Sequence, residues 1–394
     1  MDVGGFVARG YEGVREAFAA GQAGDPGGGQ LCVYRHGRKV VDLWGGRDKV
    51  NDRPYGEDTL TVIMSCTKGA TAAVVHRLAE RGLIDYEARV ADYWPAFAAG
   101  GKEDARVWHI MSHSVGLPGV DPESGLKAID MLYLDRHLPA LETMVPVWEP
   151  GASCHYHPIT YGSLLDGLVR RVSGKSVSQH LAEEISGPLG LDFWIGLPLE
   201  EDGRVAPHFT PTPGLTAENI AAFVAAMGVD VTTRLARVFL LSMQHTAELI
   251  ESMNSRELRA QQMPAGNGVA DARSLAKMYA AMIGEIDGVR LLKPETVERA
   301  RTLRTGAMSP AGDFAKLQLG LPTAYGLGYQ LAREETEMLG KGSFGHDGAG
   351  GRLGFAHPES GVAAAYVANT LPTALAGPDP RWAWIAELRK AVAG

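Results

Sequence analysis

The chain has 394 residues, of which 45% are hydrophobic and 21% are charged, and its formal net charge at pH 7 is -8. This composition is typical of a folded protein with one large domain or two interleaved ones, and it argues against extensive disorder. Because the chain is acidic and has no run of lysines and arginines, nucleic acid and anionic membranes are poor partners, and we expect a small uncharged ligand.

The N-terminal residues and the cysteines bear on location. The first ten residues lack a basic start followed by an apolar stretch, so they do not resemble a secretory signal, and no apolar run is long enough to span a bilayer. Three cysteines are too few and too unevenly placed for a disulfide framework. These features predict a cytoplasmic protein with reduced thiols and no membrane association.

The predicted elements begin with an amphipathic helix over residues 5–20 and a hairpin over 31–44 that turns at His36-Gly37. Between about 70 and 300 the pattern is mostly helical. The helical segments lie near 66–82, 160–173, 176–187, 215–227, 231–252 and 271–284. Strand patterns return at 325–331, 351–356 and 361–368, and a final helix covers 381–392.

Strand patterns at both ends of the chain, separated by a helical insert, predict one antiparallel sheet built from both ends. We therefore expect an α+β fold. Residues 1–70 and 300–394 would form a sheet domain, and residues 71–299 would form a mostly helical domain. The active site would lie between the two.

Ser65 and Lys68 form an S-x-x-K pattern at the start of a predicted helix. Residues at i and i+3 share a helix face, so the Lys68 amine can reach the Ser65 hydroxyl. The start of a helix also offers unpaired backbone N–H groups to an oxyanion near Ser65. The apolar neighbours of the pair would desolvate the lysine and lower its pKa toward that of a useful base. The pattern predicts nucleophilic catalysis, with a solvated helix face as the alternative.

Tyr156 lies between two histidines in a predicted loop, where the proline two residues later disfavours helical backbone. A cationic Lys68 beside Tyr156 would favour the phenolate, and the two groups could share the proton that Ser65 gives up. A packing aromatic is the alternative interpretation of Tyr156, and Tyr161 is the nearest competitor for its role.

The segment 343–351 is glycine-rich and resembles a strand edge. Glycines at such an edge let a ligand approach the backbone closely. Beside the serine helix, this edge could supply a second N–H group to an oxyanion, and we assign that N–H to Ala349. The first N–H would be that of Ser65.

Together these segments resemble the motif set of serine β-lactamases and penicillin-binding proteins, in the branch similar to class C β-lactamases. The three motif positions hold Ser65-Cys66-Thr67-Lys68, Tyr156-His157-Pro158 and His346-Asp347-Gly348. Residues 108–118 and 268–276 also resemble family segments. The resemblance implies a β-lactamase-like fold, an antiparallel sheet flanked by helices beside a helix-rich domain. It further implies an acyl-enzyme on Ser65 and substrate contact by His346, Asp347 and Gly348.

Two departures from the β-lactamase pattern bear on the substrate. The third β-lactamase motif is K-T-G, whose lysine helps to bind a substrate carboxylate, whereas His346 is mostly neutral at pH 7. The class C tyrosine motif is Y-x-N, whereas Pro158 replaces the asparagine here. The resulting Y-H-P and H-x-G forms are similar to those of family VIII carboxylesterases. This similarity implies a serine carboxylesterase for short-chain or small uncharged esters, in which His346 supports Tyr156 or orients the leaving group.

Four alternatives stay open. The same Ser-Lys-Tyr set could serve β-lactam hydrolysis, D-amino peptidase action or acyl transfer to a second alcohol. A non-catalytic binder on this fold is the fourth. No G-x-S-x-G pentapeptide supports an α/β-hydrolase.

Metal and cofactor sites have little support in the sequence. The histidine pairs at 109/113 and 155/157 lack the further ligands of a zinc site, and no nucleotide-binding motif is present. We therefore expect no metal and no cofactor. Candidates for the lining of an acyl pocket are Met243, Met253, Met263, Phe193 and Trp194. The sequence leaves open whether the chain forms a homo-oligomer.

Overall fold

The computed structural model describes residues 3–211, 217–313, 324–332, 338–371 and 379–393. The strands are β1 Val3–Val7, β2 Gly28–Arg35, β3 Arg38–Asp48, β4 Arg53–Pro54, β5 Thr61–Val62, β6 Phe193–Trp194, β7 Val269–Ala270, β8 Gln330–Leu331, β9 Phe344–Gly348, β10 Arg352–His357 and β11 Val362–Ala368. Eight strands of the described chain form the main sheet in the order β1-β3-β2-β11-β10-β9-β8, with β4 paired to β3. A small second sheet has the order β5-β7-β6.

The α-helices of the described residues are α1 Glu12–Ala23, α2 Thr67–Glu80, α3 Val90–Tyr93, α4 Val107–Met111, α5 Leu134–Thr143, α6 Thr160–Ser173, α7 Val177–Leu181, α8 Gly187–Leu189, α9 Ala217–Ala226, α10 Arg234–Ser252, α11 Arg256–Ala260, α12 Ala272–Ile283, α13 Pro294–Ala300 and α14 Trp384–Ala393. Helices between β5 and β8, among them α2, α6 and α12, contribute to the larger apolar core. No helix within the described ranges has both the length and the apolar character needed to cross a membrane.

The antiparallel sheet is built from both ends of the chain, as the strand patterns predict. Strand β11 pairs with β2 in a register that runs from Val362 opposite Arg35 to Ala368 opposite Gly29. The prediction of an α+β fold, with an antiparallel sheet flanked by helices, is confirmed. The division into domains at residues 70 and 300 stays a prediction.

One predicted element at the N-terminus is wrong. Residues 5–20 do not form one helix, because Val3–Val7 pairs with β3 as an edge strand and the helix begins only at Glu12. Gly10 adopts a φ of +91°, which interrupts the chain between the two elements. The hairpin that turns at His36-Gly37 is confirmed, and both of its turn residues have positive φ.

Both faces of the sheet are buried. Leu31 and Val33 of β2 face a core shared with Phe18 of α1 and Leu388 of α14. The alternate residue Cys32 faces the larger core, which also contains helices α2, α6 and α12. Helix α2, which begins two residues after Ser65, is therefore embedded in the largest apolar cluster of the molecule.

Candidate active site

Ser65 lies in a short turn, Met64–Cys66, that leads directly into α2. Met64 has a φ of +51°, an uncommon conformation for a residue with a side chain and one that stores strain. Two hydrogen bonds hold the turn: Ile63 N–H donates to Gly268 O at 2.8 Å, and Thr67 Oγ1 donates to Met64 O at 2.6 Å. The serine is thereby presented at a fixed bend between β5 and α2.

Lys68 is the second residue of α2, one turn after Ser65, and has no exposed surface. Its Nζ atom lies 3.3 Å from Ser65 Oγ and 2.8 Å from the carbonyl oxygens of Pro158 and Ala265. Burial lowers the pKa of Lys68 to about 7, against an opposing effect of Asp347. Two N–H groups are directed to carbonyls, so a neutral Lys68 can turn its lone pair toward the Ser65 hydroxyl.

Tyr156 completes the group around the serine. Its hydroxyl donates a hydrogen bond to Ser65 Oγ at 2.7 Å, and Lys68 Nζ lies 4.8 Å from the centre of its ring. Burial raises the pKa of Tyr156, and the bond to Ser65 opposes this rise. Because burial disfavours charge on both groups, the resting site favours a protonated Tyr156 and a neutral Lys68, which makes Lys68 the better base.

The competing tyrosine does not reach the serine. Tyr161 is fully buried, and its hydroxyl has no hydrogen-bond partner among the described residues. Its ring lies 5.9 Å from Lys68 Nζ, farther than that of Tyr156. Of the two tyrosines, only Tyr156 is hydrogen-bonded to Ser65.

His157 fixes the loop that carries Tyr156. Its Nδ1 donates to His155 O at 2.6 Å, and its Nε2 accepts from Leu117 N–H at 3.0 Å. These bonds require the neutral ring with its proton on Nδ1. Burial favours the same neutral form, because it lowers the pKa of His157 to about 3. The histidine of the Y-H-P motif thus positions the tyrosine backbone.

The third motif lies on β9, close to the serine turn. A Cβ atom on Gly348 would lie only 2.5 Å from Ile63 O, so a side chain here would displace the turn. The next residue, Ala349, lines the same cavity as Ser65. The N–H groups of Ser65 and Ala349 therefore belong to two segments that meet at one wall.

Arg352 connects these two segments. It is fully buried, and its guanidinium donates to Ala349 O at 2.9 Å and to Val62 O at 3.2 Å. Val62 ends β5 just before the serine turn, so the arginine ties the Ala349 turn to the strand that precedes Ser65. Burial lowers the pKa of Arg352 to about 10, which still leaves it charged at neutral pH.

The structure separates the members of the H-D-G motif. His346 is 1% exposed and does not line the cavity; its Nδ1 donates to the backbone oxygen of Asp347 at 2.6 Å. Burial lowers the pKa of His346 to about 3, so it is neutral. Asp347 does line the cavity, where its Oδ1 accepts from Gln330 Nε2 at 2.6 Å. Of the three residues expected to contact substrate, only Asp347 faces the space beside Ser65.

The cavity has a volume of about 260 Å³ and is predominantly apolar. Its apolar lining consists of Met64, Pro158, Ile159, Phe239, Met243, Leu249, Ile250, Met253, Met263, Ala265, Gly266 and Ala349. Its other lining residues are Ser65, Tyr156, Thr246, Tyr325, Gln330 and Asp347. The three methionines proposed for an acyl pocket line it, whereas Phe193 and Trp194 lie in β6, away from it.

Several residues of the site have no signature in the sequence. Gln330 and Ala265 come from segments without a motif, and each contacts a motif residue only through the tertiary fold. Arg352 follows the two glycines after the third motif, and this position is the only feature of the sequence that connects it with the site. The positive φ of Met64 cannot be read from its residue type.

No group of three or more His, Cys, Asp or Glu side chains suited to a metal ion occurs in the described ranges of the chain. All three cysteines are buried and free, in agreement with the predicted reduced thiols. The polar groups around Ser65 are the Tyr156 hydroxyl, the Lys68 amine, the Gln330 amide and the Asp347 carboxyl group. Such a set is suited to acyl transfer through a serine.

The sequence profile of the family described as Beta-lactamase matches residues 14–388. The chain belongs to the beta-lactamase family. The predicted membership in this superfamily of serine hydrolases is thereby confirmed, and the fold described above is the fold of the family.

Relatives within the family include esterases. The chain is 38% identical over 361 residues to "Esterase/beta-lactamase LipL" of Mycobacterium tuberculosis, across 90% of this chain and 79% of the relative. A solved structure described as a family VIII carboxylesterase is 32% identical, with a TM-score of 0.83, and covers 99% of this chain and 100% of its own. EstA from Arthrobacter nitroguajacolicus is 27% identical, with a TM-score of 0.80, over 100% of this chain and 99% of its own. The similarity to family VIII carboxylesterases, expected from the motifs, is confirmed.

Proposed function

We propose that this chain is a serine carboxylesterase that hydrolyses short-chain or small uncharged esters through an acyl-enzyme on Ser65. One observation carries the proposal: Ser65 Oγ lies within hydrogen-bonding distance of both Lys68 Nζ and the Tyr156 hydroxyl, and it lines an apolar cavity. A nucleophile with an adjacent base is the arrangement that acyl transfer requires. The names of the esterase relatives support the same reaction class.

Acylation would begin with the Ser65 hydroxyl giving its proton to the neutral amine of Lys68 as Oγ attacks the ester carbonyl. The carbonyl oxygen becomes an oxyanion, which the N–H groups of Ser65 and Ala349 would stabilise. As the tetrahedral intermediate collapses, Tyr156 would donate its proton to the departing alkoxide, and Lys68 would return a proton to Tyr156. The alcohol leaves and the acyl group stays on Ser65.

Deacylation would use the same groups in reverse. A water molecule takes the place of the alcohol beside Tyr156, and the Tyr156/Lys68 pair accepts its proton as the water oxygen attacks the acyl carbonyl. Collapse of the second intermediate releases the acid and returns the proton to Ser65. The pair ends each cycle in its starting state.

The cavity also bears on the choice of substrate. No lysine, arginine or histidine occurs among its described lining residues, and His346, in the position of the β-lactamase lysine, is buried and neutral. A substrate carboxylate would therefore lack a cation to bind, which favours esters over β-lactams. β-Lactam hydrolysis is the second candidate, because the relative LipL is named as both esterase and β-lactamase.

Incubation with a short p-nitrophenyl ester and, separately, with nitrocefin tests the proposal, with intact-protein mass spectrometry and product release as readouts. We expect an acyl adduct and turnover with the ester, both absent in Ser65→Ala, and slow or no turnover of nitrocefin. Ser124→Ala is the matched control, because Ser124 is exposed and does not line the cavity. Ester turnover retained in Ser65→Ala would refute the assignment, and fast nitrocefin turnover would make the chain a β-lactamase.

The remaining expectations stay predictions. A cytoplasmic location stays a prediction, and the acidic composition supports the absence of a nucleic-acid partner. D-amino peptidase action and acyl transfer to an alcohol remain alternatives for the same three residues. The non-catalytic alternative is less well supported, because a binding protein would not need the strained Met64 turn or the buried Lys68. The oligomeric state stays open.

A further inference from the structure

The described lining of the cavity contains one acidic side chain and no basic one. Asp347 is the only acidic residue among the described lining residues, and none of them is a lysine, arginine or histidine. Its side chain is 46% exposed. A ligand that occupies the cavity would therefore meet one carboxylate in otherwise apolar or uncharged surroundings.

Gln330 holds this carboxylate in a fixed orientation. The Gln330 side chain donates from Nε2 to Asp347 Oδ1 at 2.6 Å and accepts from the Asp347 backbone N–H at 3.1 Å. Because the backbone N–H requires the amide oxygen, the amide cannot be turned over without losing both bonds. The Gln330 amide bonds to Oδ1, so the second oxygen, Oδ2, lies outside this pair of hydrogen bonds.

Among the described residues, no lysine or arginine forms an ion pair with Asp347. Lys68 affects it electrostatically, but its Nζ is directed to Ser65 Oγ and to two backbone carbonyls. His346 Nδ1 lies 3.6 Å from Oδ1, but this histidine is neutral and donates to a backbone oxygen. The apolar surroundings raise the pKa of Asp347, against the bond from Gln330. A bound cation would favour the charged carboxylate and would itself be stabilised.

We propose that Asp347 is a specificity-determining residue that recognises a cationic group on the substrate, so that the preferred substrates are esters that carry an ammonium group. The inference rests on the proposed esterase function and changes its preferred substrates from uncharged esters to cationic ones. Neutral esters would be accepted without this contact. Anionic esters would be repelled by the same carboxylate in a site of low polarity, where charges interact more strongly than in water.

The test uses three p-nitrophenyl esters of matched size: the ester of γ-trimethylammoniobutyric acid, its uncharged tert-butyl analogue and the ester of γ-sulfobutyric acid. We expect kcat/KM to fall in that order, by about tenfold at each step, as one ion pair or repulsion is gained or lost. In Asp347→Asn, which keeps an acceptor for Gln330, the three values should converge to within about threefold.

Asp104→Asn is the matched control, because it removes the same charge from an exposed position outside the cavity. It should keep the order of the wild type. Equal kcat/KM values for the three esters in the wild type would overturn the proposal, even if Asp347→Asn did not fold. An unchanged order in a folded Asp347→Asn would also overturn it.

Failure of this inference and failure of the proposed function give different results. If the tert-butyl ester is hydrolysed in a Ser65-dependent manner but charge has no effect, the esterase proposal stands and only the role of Asp347 is refuted. If none of the three esters is hydrolysed, the esterase proposal itself fails. A preference for the sulfonate would identify a cation that the described residues do not place at the cavity, and it would refute the role of Asp347.

Discussion

The Nζ atom of Lys68 donates a hydrogen bond to the carbonyl oxygen of Ala265 at 2.8 Å, although the two residues lie 197 positions apart. The segment around Ala265 also holds the serine turn, because Gly268 accepts from Ile63 N–H. The proposed base and the proposed nucleophile are thus positioned by one loop between α11 and β7. Its packing removes water from Lys68, and this desolvation lowers the pKa of the lysine.

The first prediction is the pH dependence of ester hydrolysis. Lys68 must be neutral to accept the proton of Ser65, and its pKa is lowered to about 7. We therefore expect kcat/KM to be high above pH 7 and to fall by about tenfold per pH unit well below it. Stopped-flow or steady-state rates with a neutral ester between pH 5 and 9 would check this.

Lys102 offers the control for that profile. It is also buried and has a pKa lowered to about 8, but it donates to the backbone carbonyls of Ala99, Glu142 and Met144, none of which belongs to the site around Ser65. Lys102→Met should leave the midpoint of the pH profile unchanged, whereas Lys68→Met should abolish turnover. A midpoint that moves with Lys102→Met would show that Lys68 is not the titrating base.

The two tyrosines should respond differently to loss of the hydroxyl. Tyr156→Phe removes the group bonded to Ser65 Oγ, and we expect kcat to fall by about 10²- to 10⁴-fold. Tyr161→Phe removes a hydroxyl without a partner among the described residues, so activity and stability should be retained. Steady-state kinetics and thermal unfolding of both variants would decide, and sensitivity of Tyr161 alone would refute the assignment of Tyr156.

Arg352 should affect catalysis without touching the substrate. Its bonds to Ala349 O and Val62 O hold the two segments of the proposed oxyanion site together. We expect Arg352→Lys, which cannot reproduce both bonds, to lower kcat by about tenfold or more with a smaller change in KM. Arg35→Lys is the control, because Arg35 also donates to backbone carbonyls but lies on β2, away from the cavity. Equal kcat in both variants would contradict this role.

Gly348 should not tolerate a methyl group. The added Cβ would lie 2.5 Å from Ile63 O and 3.2 Å from Met64 Cβ, so the serine turn would have to move. We expect Gly348→Ala to lower both kcat/KM and the free energy of unfolding, the latter by about 1–3 kcal/mol. Gly203→Ala is the control, since nothing lies within 4 Å of its added Cβ. Urea denaturation and ester kinetics of the two variants would show whether Gly348 is as tolerant as Gly203.

Stability should decrease in acid because of buried histidines. Burial lowers the pKa of His76, His109, His113, His137, His155, His157, His208, His245 and His346. An unfolded chain protonates its histidines near pH 6.5, whereas these stay neutral in the folded state to lower pH. Above about pH 6.5 these histidines are neutral in both states and cost no stability. As the pH falls below that value, the unfolded state takes up protons that the folded state does not, and the free energy of unfolding decreases.

Each such histidine lowers the free energy of unfolding by up to about 1.4 kcal/mol per pH unit, and folded proteins have only about 5–15 kcal/mol in total. We expect urea denaturation to give a clearly smaller free energy of unfolding at pH 5 than at pH 7.5. A value that does not change over this interval would contradict the neutral state of these residues.

The sequence predicts structure best where reactive residues or apolar residues recur at a helical or strand spacing. The i, i+3 spacing of Ser65 and Lys68 predicts their proximity, and the strand patterns at both ends of the chain predict the shared sheet. The N-terminal strand β1 was missed, because pairing with β3 outweighs a weak amphipathic pattern. The burial that raises the pKa of Tyr156 cannot be inferred from any motif.

Other features depend on contacts between distant segments. The clamp of Gln330 on Asp347 and the bonds of Arg352 join residues whose positions only the fold determines. His346 shows the converse: it occupies a motif position, but the alternation of side chains along β9 leaves it behind the cavity wall that Asp347 forms.

The pairing of β2 with β11 has a consequence for the order of events during synthesis. Strand β2, buried on both faces in the folded protein, emerges from the ribosome long before its partner at Val362–Ala368 has been translated. Until then, the edge of β2 has unpaired backbone groups and apolar side chains, a combination that favours aggregation. Binding of this edge by a chaperone, or rapid completion of the chain, would reduce that risk. Such long-range pairing also makes spontaneous refolding slow.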